Sequence, residues 1–150
     1  MDYAVRFCYH LLMRERFLKQ LVAVIFAIAV LHIAAIGFHF YWSIWWYDIL
    51  LHFFGGVWIG IFSLWFVFYS RYIKIKELEK AGALGISAIA VMFAFGVGMI
   101  WELYEFMLSA NFSREGYAMD TLIDLIMDVS GALVGYVIFT LQRERYIHGR

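Results

Sequence analysis

Three stretches of this sequence carry ionisable side chains at helical spacing. Asp48 and His52 are four residues apart, Glu102 and Glu105 three apart, and Asp120, Asp124 and Asp128 step by four. Side chains three or four apart share one face of an α-helix. On a helix the Asp120–Asp128 series descends roughly 12 Å at 1.5 Å per residue. Carboxylates with one imidazole are donors for Mg²⁺, Mn²⁺, Ca²⁺ or Zn²⁺. Cys8 is the single cysteine, so no intrachain disulfide, thiolate metal cluster or CxxC redox pair can form. The candidate metal ligands are therefore Asp48, His52, Glu102, Glu105, Asp120, Asp124 and Asp128. His52 and Glu102 are also the candidate proton-transfer groups, since an imidazole or a desolvated carboxyl can act as acid or base.

The elements that must position these groups follow from composition. Of 150 residues, 65% are apolar, 16% charged and 21% aromatic, and the mean hydropathy is +0.77. A soluble domain is about 45–50% apolar and ~25% charged, so water is the wrong solvent for most of this chain. A disordered chain, a disulfide scaffold and a nucleic-acid binder are excluded. One integral membrane domain remains. Apolar stretches run over about 17–42, 46–69, 83–108 and 120–141. Each is long enough, as a helix, to cross a hydrocarbon core of ~30 Å. Helices satisfy their own backbone groups in lipid, and these runs lack the alternation of a membrane β-barrel. The fold class expected is an all-α four-helix membrane bundle. Residues 1–16, which mix Val5, Phe7, Leu11 and Leu12 with Arg6, Arg14 and Arg16, are expected as an amphipathic helix on the membrane surface. They lack the pattern of a cleavable signal peptide.

The cations set the orientation. Arg6, Arg14, Arg16 and Lys19 precede the first span. Arg71, Lys74, Lys76 and Lys80 lie between the second and third, and Arg143, Arg145 and Arg150 follow the fourth; Arg114 alone falls on the other side. The positive-inside rule then puts both termini in the cytoplasm, with the protein in the plasma (inner) membrane. Tyr41, Trp42, Trp45, Trp46 and Tyr47 form an aromatic belt at the outer surface.

This orientation uses only Lys and Arg, yet it brings all seven acidic and imidazole groups to the outer half of three helices. The economical arrangement turns the three stripes toward one cavity open to the outside. A charge at the centre of a spanning helix costs about 2.5–3.5 kcal/mol on insertion scales, and no Lys or Arg lies in that half to offset it. Some carboxyls keep their protons, or a divalent cation sits among them, or the cavity is wet and admits a cationic substrate.

Other residues carry weaker signals. Gly56 with Gly60, and Gly131 with Gly135, are small residues four apart that let helices approach closely. They serve packing within the bundle or a contact between copies in a homo-oligomer. Gly96 and Gly98 carry the same packing reading. His32 and His39 share a face of the first span, and His39 is the one expected nearer the cavity. Tyr104 and Ser130 are candidate hydrogen-bonding neighbours of the site.

The order Asp-x-x-x-His, then Glu-x-x-Glu, then Asp-x-x-x-Asp-x-x-Gly-x-x-x-Gly resembles VanZ-like membrane proteins. Asp48, His52, Glu102, Glu105, Asp124, Asp128, Gly131 and Gly135 carry the match. The Trp-Glu-Leu-Tyr-Glu-Phe string at 101–106 and Asp-Thr-Leu-Ile-Asp at 120–124 resemble the related YjdF-like membrane proteins. The likeness covers about residues 40–136. Where VanZ-like proteins carry Lys after the first Asp this chain has Ile49, and their Glu-x-x-Gln is Glu-x-x-Glu here; both changes make the site more acidic. The resemblance implies a small multi-pass envelope protein with one outward polar site. Three functions compete: a metal-dependent site that acts on or binds an envelope lipid or lipid-linked substrate, a cation or proton pathway or binding module, and a scaffold whose carboxyls only glue helices together.

Overall fold

The computed structural model describes residues 3–70, 82–108 and 117–148, with side chains at Cys8, 11–70, 82–108 and 117–144. Five helices follow in order: α1 (Tyr3–Gly37), α2 (Phe40–Ser43), α3 (Tyr47–Tyr69), α4 (Ala83–Leu108) and α5 (Tyr117–His148). Four segments are long and apolar enough to cross a membrane: Leu11–Gly37, Tyr47–Tyr69, Ala83–Leu108 and Tyr117–Glu144. The fold is an all-α, four-helix membrane bundle. The loop cations Arg71, Lys74, Lys76, Lys80 and Arg114, and the side chains of Arg6, Arg145 and Arg150, lie outside the described residues.

The N-terminal segment departs from expectation. No separate surface helix covers 1–16, because α1 continues unbroken from Tyr3. Residues 3–36 contain neither Gly nor Pro to interrupt it. Met13, Phe17 and Leu21 lie in the main core instead of on a bilayer surface. The first span also ends early. After Gly37, His39 takes a left-handed backbone (φ 60) and starts the four-residue α2. Its carbonyl accepts from the Ser43 hydroxyl at 3.0 Å, which holds the turn.

Two parallel helices form the seam on which the site rests. A Cβ on Gly56 would stand 2.1 Å from the Asp128 carbonyl oxygen, and one on Gly131 would stand 2.1 Å from that of Phe53. One turn further along, the same holds for Gly60 against Ala132 and Gly135 against Val57, at 2.7 and 2.6 Å. Both glycine pairs are therefore consumed inside the protomer, where α3 and α5 touch backbone to backbone. That is the packing within the bundle expected of these glycines. Helix α4 runs antiparallel to this seam and buries every fourth residue: Ala90, Ala94, Gly98 and Glu102. Gly96, expected to pack with Gly98, faces open space.

Helix α1 lies along α3 and is tied to it by three side-chain donors. The Trp58 and Trp65 indoles donate to the Leu21 and Arg14 carbonyls at 2.8 and 3.2 Å, and the Tyr47 hydroxyl donates to that of Leu31 at 3.0 Å. At the end away from the acids, Phe17 stacks on Phe139 with centroids 4.9 Å apart, and Tyr69 packs against both. Leu64, Ala90, Ala94 and Ala132 are fully buried between that aromatic cluster and the acidic end. Ser63, buried in the same layer, donates to the Gly60 carbonyl of its own helix.

Candidate functional site

The α3–α5 seam sets the position of His52. Gly56 touches the backbone of Asp128, so His52, one helical turn earlier on α3, is brought beside the Asp128 side chain. The His52 Nδ1 lies 3.4 Å from both oxygens of that carboxylate. Its Nε2 lies 4.0 Å from an oxygen of Asp48 and 4.0 Å from Oε1 of Glu102. One donor atom each from Asp48, His52 and Asp124 falls within 4.8 Å of the other two. Three helices thus meet around one imidazole.

The group is buried. His52 and Asp128 are almost fully enclosed, and Glu102 and Asp124 are 5% and 2% exposed. Glu102 Oε2 accepts the Thr121 hydroxyl at 2.7 Å, and the Tyr117 hydroxyl donates to the Glu102 carbonyl at 2.8 Å. The other oxygen of Glu102, Oε1, accepts no hydrogen bond, and neither does Asp124 Oδ1, although both atoms are buried. An unsatisfied buried acceptor costs about 1–3 kcal/mol, more when charged. Glu102 Oε1 lies on the Nε2 side of the imidazole, and a carboxylate oxygen of Asp124 falls within the 4.8 Å group of donor atoms. Asp48 sits in the first turn of α3, and Asp124 in the second turn of α5. The positive ends of those helix dipoles favour carboxylates there. Glu102 has no such help, since it lies near the C-terminal end of α4.

Two expected ligands stand apart. Asp120 is exposed at the rim, one turn before Asp124. Glu105, three residues beyond Glu102, is half-buried and accepts the Trp101 indole N–H at 2.9 Å. A three-residue step falls 60° short of a full helical turn, so Glu105 is offset from Glu102 around the helix. The structure brings together Asp48, His52, Glu102, Asp124 and Asp128, with Asp120 and Glu105 at the mouth.

The histidine expectation for the first span reverses. His39 is exposed in its turn and packs on the Trp42 ring. His32 instead meets Tyr41 at the rim, Nδ1 to hydroxyl 2.5 Å. Burial, then the negative charges of Asp48 and Glu105, push the Tyr41 phenol above its ordinary value. The phenol keeps its proton and shares a hydrogen bond with the imidazole. Tyr104, expected near the site, is 52% exposed. Thr121, Tyr117 and Gly98 are the neighbours that the sequence reading missed. Thr121 was visible in principle, because it precedes Asp124 by three residues and shares its face. Gly98 matters because a Cβ there would stand 2.3 Å from Asp128 Oδ2. Its packing neighbour is a carboxylate, and its spacing to Gly96 gives no sign of that.

Comparison with known proteins adds a family. No curated protein and no solved structure matches the chain. The VanZ-like and YjdF-like likeness stands on the quoted motifs alone. Residues 4–145 match the family described as predicted membrane protein (DUF2238), and the chain belongs to that family.

Proposed function

We propose that this chain is a multi-pass protein of the plasma (inner) membrane, with cytoplasmic termini, that binds a divalent cation between α3, α4 and α5 and uses it at the outer surface on an envelope lipid or lipid-linked substrate. One observation carries the reading: Asp48, His52 and Asp124 offer donor atoms within 4.8 Å of one another, while Asp124 Oδ1 and Glu102 Oε1 are buried without a hydrogen bond. Both oxygens are free to serve as donors to an ion. Oxygen donors with a single imidazole suit Mg²⁺, Mn²⁺, Ca²⁺ or Zn²⁺. When bound, such an ion supplies charge neutralisation for a phosphate group and a more acidic water. Glu102, bare at Oε1 and anchored at Oε2, would serve as a donor to the ion or as a proton acceptor beside it.

Cation or proton passage is the weaker reading. Below Asp128 the buried layer is Val57, Ile61, Leu64, Ala90, Ala94, Ala132 and Phe139, which offers an ion nothing to replace its water.

Elemental analysis of the purified full chain tests the reading. About one divalent ion per chain is expected, lost in Asp124→Asn and in His52→Ala. A metal-free wild-type chain after dialysis against each of the four ions would overturn it. Mass spectrometry of the co-purifying lipid addresses the substrate class: a phosphate-bearing lipid retained by wild type and lost with the metal is expected.

A further inference from the structure

The two nitrogens of His52 have different surroundings. Nδ1 faces the Asp128 carboxylate, at 3.4 Å. Nε2 faces the Asp48 and Glu102 oxygens, each at 4.0 Å. That second separation is too long for a hydrogen bond. It matches the spacing of two donors on one ion, which at about 2.0–2.4 Å from each donor stand roughly 3–4 Å apart. Resting on the cation reading above, we propose that Asp128 is a positioning residue and not a ligand: its carboxylate accepts Nδ1–H of His52 and turns the Nε2 lone pair toward the ion.

The rest of the fold supports this division. The Asp128 carboxylate is fixed from two sides. Gly56 of α3 lies against its backbone oxygen, and Gly98 of α4 leaves the space that its Oδ2 fills. A group held this way aims its neighbour and has little freedom to wrap an ion. Asp124, by contrast, keeps Oδ1 bare while 2% exposed, and Glu102 keeps Oε1 bare while 5% exposed. The bare Glu102 Oε1 lies on the Nε2 side and the anchored carboxylate lies on the Nδ1 side. Carboxylates that hold a ligating histidine by its other nitrogen fix its tautomer, and their loss weakens metal binding 10- to 100-fold without removing the site. Loss of a true ligand removes more.

The test is Mn²⁺ titration of the detergent-purified full chain, followed by electron paramagnetic resonance, with ¹⁴N coupling as the signature of a bound imidazole. Wild type is expected to bind one Mn²⁺ with ¹⁴N coupling. Asp128→Asn is expected to keep the stoichiometry and the coupling at saturation, with affinity 10- to 100-fold lower. His52→Gln is expected to lose the coupling, and Asp124→Asn to lose binding over the same range. Should Asp128→Asn not fold, Gly98→Ala, which crowds the same carboxylate, is expected to weaken Mn²⁺ similarly. Unchanged affinity in Asp128→Asn, or in Gly98→Ala where it replaces that variant, overturns the positioning role. So does complete loss of Mn²⁺ in a folded Asp128→Asn chain, which would make Asp128 a ligand. Wild-type binding without ¹⁴N coupling also refutes it, leaving the cation reading intact. No wild-type binding of Mn²⁺, Mg²⁺, Ca²⁺ or Zn²⁺ overturns both.

Discussion

Thr121 and Tyr41 show what single side chains do around this site. Thr121 donates to Glu102 Oε2 and so leaves Oε1 free. Thr121→Val removes that anchor, while Thr121→Ser keeps it. The valine variant should bind Mn²⁺ about 10-fold more weakly, as expected for loss of a partner that orients a ligand. The serine variant should match wild type, both read by titration calorimetry. Equal affinities in all three would show that the Glu102 orientation is immaterial to the ion. Tyr41 gives the opposite contrast. Its bond to His32 lies at the rim. Tyr41→Phe should lower stability by about 0.5–1.5 kcal/mol, the net worth of one hydrogen bond. Thermal unfolding in detergent would show this, and Mn²⁺ affinity should not move.

At the scale of elements, the α3–α5 seam decides whether a site exists. Gly56 and Gly55 are adjacent in sequence but differ in surroundings. A Cβ at Gly56 meets the Asp128 backbone at 2.1 Å, whereas one at Gly55 meets nothing within 4 Å. Gly56→Ala should destabilise by about 1–3 kcal/mol through overpacking, and should weaken metal binding because the seam spaces His52 from Asp128. Gly55→Ala should be neutral or stabilising by about 0.5–1 kcal/mol, since alanine suits a helix interior better than glycine. Differential thermal unfolding checks both, and equal effects would contradict the seam. Much of this was legible in the residues. The middle spans follow from hydropathy, and the three polar stripes from steps of three and four residues. Other features needed tertiary information. A continuous α1 could not be told from a surface helix running into a span, because both share the same apolar and basic mixture. Periodicity placed His39 and His32 on one face, but a left-handed turn at His39 took it out of the helix. Asp120, Asp124 and Asp128 look equivalent as a stripe. Depth separates them into a rim group, a group with a bare oxygen, and a group held beneath the imidazole.

The whole molecule has opposite ends. The described Lys and Arg side chains, Arg14, Arg16, Lys19 and Arg143, gather at the aromatic end, and the metal-site acids at the other. In the orientation proposed above, the basic end faces the cytoplasm. With Cys8 replaced by Ser, an impermeant thiol reagent should label Ser43→Cys and Ser113→Cys from outside intact cells. Leu78→Cys should react only after permeabilisation. The reverse pattern would turn the site toward the cytoplasm and remove the outer-surface substrate. Diffraction from Mn²⁺-soaked crystals would locate an ion held by the carboxylates and imidazole. An anomalous-difference peak is expected about 2.0–2.4 Å from His52 Nε2 and from a carboxylate oxygen of Asp124, with Asp128 on the far side of the ring. Crystals that show no such peak, with Asp124 and Glu102 satisfied by water alone, would contradict the cation reading.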